Sequence, residues 1–106
     1  MLTEKDYCDY ETCVALKELG YPLTSKEVRY EDKAVFVPGV LLYSAQKWLR
    51  GKHNLHIEIT YSPSCWTGKI YDLKEWDYIK GFTFFESFEE TLHTLIKEAV
   101  KILKEK

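Results

Sequence analysis

The last twenty residues, SFEETLHTLIKEAVKILKEK, constrain the fold more than any other stretch. Phe88, Leu92, Leu95, Ile96, Ala99, Ile102 and Leu103 recur at helical spacing and make one continuous apolar stripe. A short helix draws most of its stability from burying such a stripe against a neighbouring element. The ends of the segment are equally well marked. Ser87 and Glu90 stand at capping-box spacing, where each side chain can satisfy the other's free backbone N–H. Glu86, Glu89 and Glu90 lie near the start and Lys97, Lys101 and Lys104 near the end, which suits the helix dipole.

A surface to receive that stripe lies earlier, in NLHIEITYS. Leu55, Ile57, Ile59 and Tyr61 alternate with His56, Glu58 and Thr60, the pattern of a half-buried antiparallel strand. SPSCWTG, with Pro63 and Gly68, reads as a turn, WTGKIYDL as a returning strand, and YIKGFTFFE as a third strand with Phe82 and Phe84 on one face. Upstream, VLLYSAQKWLRGKHN places Leu42, Ala45, Trp48 and Leu49 on one helical face and Gln46, Lys47 and Arg50 on the other. Gly51 reads as its stop, and Leu41 is a poor N-cap. A first helix is expected over about residues 10–19, capped by Asp9 and ended by Gly20 and Pro22. Val28–Tyr30 and Val35–Val37, separated by EDK, read as a small hairpin or an extended loop.

The order helix, short β segment, helix, three strands, helix implies an α+β domain: a small antiparallel sheet of three or more strands packed on one face by about three helices. The chain of 106 residues is the size of one domain, and 45% hydrophobic content is enough for a core without metals or bridges. No repeat, low-complexity tract or linker interrupts it.

Bulk charge narrows the function classes. A net charge of −2 argues against an electrostatically driven grip on nucleic acid, although Lys47, Arg50, Lys52 and His53 form a small basic cluster. Three cysteines, Cys8, Cys13 and Cys65, at no ligand-like spacing suggest free thiols and a reducing compartment. The opening MLTEKDYCDYE has no apolar signal core, and no apolar run approaches the roughly 18 residues of a membrane span. A cytoplasmic protein with no membrane contact is expected.

Two resemblances follow from these pieces. The string AQKWLRGKHNLHIEI…W…IYDL…SFEETLHTLIKEAVKIL resembles a group of short bacterial and prophage-encoded proteins that share a helix ending in KWLR, an HN-h-HI-I strand and a terminal S-F/Y-E-E-A-L helix. It covers most of the chain. It implies a fold and a phage or mobile-element origin, and no activity attaches to that group. Residues 55–104 also resemble the β-β-β-α order of HicB-like antitoxin domains, through Ser87, Glu89, Glu90 and the amphipathic helix. That second resemblance implies an antitoxin or regulatory partner. No functional residue is carried over from either.

Candidate chemistry centres on the histidines. His53 and His56, three apart on either side of a helix–strand junction, would not share a face, and with Cys65 and His93 they form no ligand motif, so no metal and no cofactor is expected. His56 and Glu58 share a strand face and are the candidate acid–base pair, with Asp72 across the hairpin. On an open, wet sheet face the pair reads rather as a cross-strand polar contact. Cys13 reads as a small core residue, and Cys8 and Cys65 have no histidine partner in the pattern.

The aromatics, 15% of the chain, carry more information, because KEWDYIKGFTFFESF concentrates six of them. Trp48 and Phe88 are expected in the core. Trp66, Trp76 and Phe85 are expected at an interaction surface, where aromatic side chains are favoured. The expected function is a protein-interaction module whose partner is another protein or a second copy of itself. The edge of a strand over residues 81–85 offers unpaired backbone groups for that purpose.

Overall fold

The computed structural model describes residues 6–23, 28–31 and 35–105. Its elements are α1 (Tyr10–Glu18), β1 (Val28–Glu31), β2 (Val35–Pro38), α2 (Leu42–His53), β3 (Leu55–Ser62), β4 (Cys65–Asp72), β5 (Asp77–Phe85) and α3 (Phe88–Lys104). The order and the α+β class are those read from the sequence. β1 and β2 form a separate antiparallel ladder, Val28 opposite Pro38 and Glu31 opposite Val35. The EDK turn between them lies outside the described residues.

β3, β4 and β5 form one antiparallel sheet in that order, with α3 and α2 on one face of it. The register places Ile57 opposite Ile70 and Ile59 opposite Gly68, so the apolar residues of β3 and β4 face the helices together. Leu55, Ile57 and Ile70 are fully buried against Leu92, Leu95, Ile96 and Ala99 of α3 and Ala45 and Leu49 of α2. Burial along β3 fades towards the hairpin: Ile59 is half-buried and Tyr61 exposed. The turn that follows is only Pro63–Ser64, since Ser62 already pairs with Cys65.

Gly68 therefore does not belong to the turn. It lies within β4, buried, where a Cβ would meet Leu95 Cδ1 at 1.9 Å and Thr91 Cγ2 at 3.0 Å. The absence of a side chain lets α3 settle closely onto the sheet, a use of glycine that its position near Pro63 disguises in the sequence.

The helix ends follow local chemistry. Asp9 Oδ1 accepts the Thr12 N–H at 2.8 Å and Ser87 Oγ accepts the Glu90 N–H at 3.1 Å. Leu41 caps α2 with no side-chain bond. Gly51 does not stop α2. The helix continues to His53, and Asn54 takes the left-handed cap at φ 57°, its N–H donating to Leu49 O. Asparagine tolerates this conformation better than most residues, and the strand begins directly after it.

α3 buries Thr91 and Val100 together with Leu92, Leu95, Ile96 and Ala99 of the apolar stripe. Thr91 can be buried because its hydroxyl donates to Ser87 O at 2.7 Å. Phe88, expected in the core, is 39% exposed: it opens α3 at the margin of the core, its ring edge-on to Trp66 at 5.6 Å. Trp48 is half-buried, packed on the core from the outside.

The Gly68–Leu95 contact yields a direct test. Gly68→Ala should destabilise the fold by about 1–3 kcal/mol, the range for overpacking a filled core. In a Leu95→Ala background the same substitution should cost markedly less, because the clashing methyl is gone. Urea denaturation of the four proteins of this cycle measures the coupling.

Candidate functional site

His56 and Glu58 lie on the sheet face opposite the helices. Glu58 is exposed and stands across from Lys69 on β4. His56 is half-buried and stacks on Tyr71, ring centroids 6.4 Å apart, and Tyr71 in turn meets Tyr78 of β5 at 5.9 Å. The row His56–Tyr71–Tyr78 thus crosses all three strands. The Nδ1 atom of His56 is shielded and has no hydrogen-bond partner among the described residues. His53 is turned away at the end of α2, its ring against Trp48 at 4.7 Å. Asp72, across the hairpin, faces Leu55 and accepts the N–H groups of Lys74 and Glu75 at 2.9 and 3.2 Å. It shapes the β4–β5 turn and does not join His56. Among the described residues no three His, Cys, Asp or Glu side chains are grouped to hold a metal ion.

The structure does assemble one polar cluster that the sequence order hides. The Asp9 N–H donates to His93 Nε2 at 3.1 Å, across 84 positions of chain. Lys97 Nζ is 2.7 Å from Asp9 Oδ2, and His93 Nε2 is 3.6 Å from the same oxygen. Because Nε2 accepts a backbone N–H, the imidazole is neutral and carries its proton on Nδ1. Burial pushes His93 below its ordinary value of 6.5; Asp9 opposes this and Lys97 reinforces it. Burial alone would raise Asp9, but the hydrogen bonds from Lys97 and Thr12 outweigh it and hold the carboxyl at about 2. Glu89 and Glu90 border the same small hollow, of about 300 Å³. The cluster fastens the start of α1 to α3.

Next to it lie two buried thiols. Cys13 Sγ is 3.7 Å from Cys8 O. Its hydrogen bond with Cys13, burial, and the nearby Asp9 charge all push the Cys8 thiol strongly upward. Such a thiol is a packing group, not a nucleophile.

The three aromatics singled out for a surface are placed differently from one another. Trp66 is half-buried, held edge-on by Tyr61 at 4.9 Å and by Phe88. Phe85 is half-buried opposite Trp66 at the end of β5. Trp76 is 92% exposed at the β4–β5 turn and has φ 56°. A positive φ is a strained conformation for a bulky side chain. Around it Leu73, Tyr78 and Ile79 are also exposed.

Two further features lie at the sheet edges and along α2. The free edges of the sheet differ: Gln46 Nε2 of α2 donates to Ile57 O at 3.0 Å, which satisfies one carbonyl of the β3 edge, whereas β5 has no backbone partner on its outer side among the described residues, as expected for residues 81–85. A groove of about 610 Å³ also runs along α2, with Tyr43, Lys47, Trp48 and Gly51 on one side and Tyr21 and Pro22 on the other. Only the packing of the segment after α1 onto α2 creates it, with Tyr21 edge-on to Trp48 at 5.4 Å.

No protein-family model, curated protein or solved structure matches this chain. Among the described residues no helix is long and apolar enough to cross a membrane.

Two measurements check the local chemistry. Both depressed values mean that the unfolded chain binds more protons than the folded one, so stability falls as pH falls. The loss begins below the ordinary histidine value of 6.5 for His93 and falls between 3.8 and about 2 for Asp9. The urea midpoint should therefore drop between pH 7 and pH 5, and His93→Gln should flatten that drop. Separately, iodoacetamide on the native protein should label half-buried Cys65 first and leave buried Cys8 and Cys13 unmodified until denaturant is added.

Proposed function

We propose that this chain is a non-catalytic protein-interaction module that recognises its partner through the β4–β5 turn and the adjoining outer edge of β5. The observation that carries this reading is Trp76. An indole held 92% in solvent at φ 56° costs the fold both hydration and strain, and it fills no core. Residues kept in such conformations concentrate where a segment is shaped for contact. Leu73, Tyr78 and Ile79 extend the exposed apolar surface around it, and the unpaired edge of β5 supplies backbone donors and acceptors beside it. By contrast, His56 and Glu58 sit on the open sheet face, with Glu58 exposed and His56 committed to stacking on Tyr71. Catalysis needs a formed, water-poor site, so an acid–base role for the pair has less support.

Trp76→Gly separates folding from binding. Glycine adopts a positive φ without strain, so the variant should fold at least as stably as the parent in urea denaturation. It should nevertheless lose the partner that the parent retains when immobilised and exposed to an extract of its native host. A variant that keeps every specific interaction of the parent removes this surface from consideration.

A further inference from the structure

We infer that the partner of the Trp76 turn is the α2 groove of a second copy of this chain, in a reciprocal exchange. This rests on the reading of Trp76 as a contact residue and names what it contacts.

The two surfaces match in chemical character. The groove, at about 610 Å³, is in the size range of sites that take an aromatic ligand, and its walls are aromatic: Tyr21, Tyr43 and Trp48. Aromatic rings met edge to face suit an incoming indole. Gly51 contributes to the opening. A Cβ at Gly51 would meet nothing within 4 Å, and its φ is not in the left-handed region, so neither packing nor backbone geometry calls for glycine there. Within a helix it is less favourable than alanine. It does leave the groove unobstructed and the helix backbone approachable.

The charges are complementary too. α2 carries Lys47, Arg50 and Lys52 and no acidic residue, in a chain whose net charge is −2. Lys47 and Lys52 border the groove, and none of the three cations forms an ion pair among the described residues. Trp76 is flanked by Glu75 and Asp77, which also lack ion pairs among the described residues. The turn is thus an aromatic anchor flanked in sequence by two carboxylates, and the groove an aromatic slot whose lining includes two lysines.

Position favours exchange. The Leu73 N–H donates to Asn54 O at 2.8 Å, which fixes the turn beside the C-terminal end of α2. Turn and groove therefore sit near each other on one molecule, yet Trp76 is 92% exposed and does not enter its own groove. Neighbouring complementary patches are what a two-fold dimer uses: each copy gives its indole and receives the other's.

Sedimentation velocity from micromolar to millimolar protein tests this. The parent should form a dimer that weakens as salt is raised. Gly51→Leu, which fills the groove while retaining a good helix former, and Trp76→Gly should each raise the dimer dissociation constant by about 30-fold or more, the loss typical of a buried aromatic anchor. Mixed in equal amounts, the two variants should associate with each other more tightly than either does with itself, because one retains the turn and the other the groove. Lys47→Glu with Lys52→Glu should weaken the dimer, and Glu75→Lys on the other copy should restore part of the loss. A parent that stays monomeric, or a dimer indifferent to both Gly51→Leu and Trp76→Gly, overturns the exchange. If the parent is monomeric but Trp76→Gly still abolishes capture of a host protein, the exchange fails while the wider reading of the turn stands. If that capture is also unaffected, both fail.

Discussion

The close approach of Leu95 to Gly68 is the contact on which the rest of the structure depends. With no side chain on the central strand at that point, α3 lies low over the sheet, and Leu92, Leu95, Ile96 and Ala99 reach Leu55, Ile57 and Ile70 directly. A β-branched residue at position 68, common in central strands, would lift the helix and open the layer beneath it. Setting the height of α3 also sets what can reach it from elsewhere. Asp9 meets Lys97, Glu18 meets Lys104 at 3.0 Å, and Lys80 meets Glu98 at 2.7 Å, so α1 and β5 are each tied to α3. Exposed ion pairs of this sort contribute little individually. Their role here is to orient elements that burial already holds.

At the start of α1 one of these pairs belongs to a larger, partly buried polar junction. Asp9 caps its own helix, accepts Lys97 from another, and donates its backbone N–H to His93. One residue therefore satisfies local and long-range bonds at once. The neighbouring Cys8 joins the same region to the segment before α2, its N–H donating to Val40 O at 2.8 Å. The N-terminal segment is held by backbone and side-chain bonds on both sides, and the helical layer closes around Cys8, Cys13 and Leu16.

How much of this was legible follows from which forces are local. The period and caps of α3, the alternation of β3 and the Asp9 cap are written in consecutive residues, and the structure has them. Gly51 and Gly68 both mislead because glycine near a plausible boundary signals a turn; at Gly68 the space it frees is visible only when α3 is in place, and at Gly51 the helix simply continues. Asn54, not Gly51, ends α2, because the chain must turn immediately into Leu55 of the sheet. Phe88 continues the apolar stripe but lies beyond the end of the surface that stripe covers. The Asp9–His93 bond and the α2 groove join residues far apart in sequence, and no periodicity announces them.

The exposed turn shows the opposite situation, in which a local conflict is retained. Asp72 folds the turn by accepting the N–H groups of Lys74 and Glu75, which leaves Trp76 at the point where the backbone must take a positive φ before β5 begins. Asn54 meets the same requirement with a residue suited to it, so this fold is able to place a suitable residue at such a point. Trp76 is the least suited and the most exposed of the large apolar residues. Strain and exposure at one residue do not offset each other; they add. Conflicts between local preference and fold concentrate at functional or strained positions, and the proposed contact at Trp76 rests on that rule.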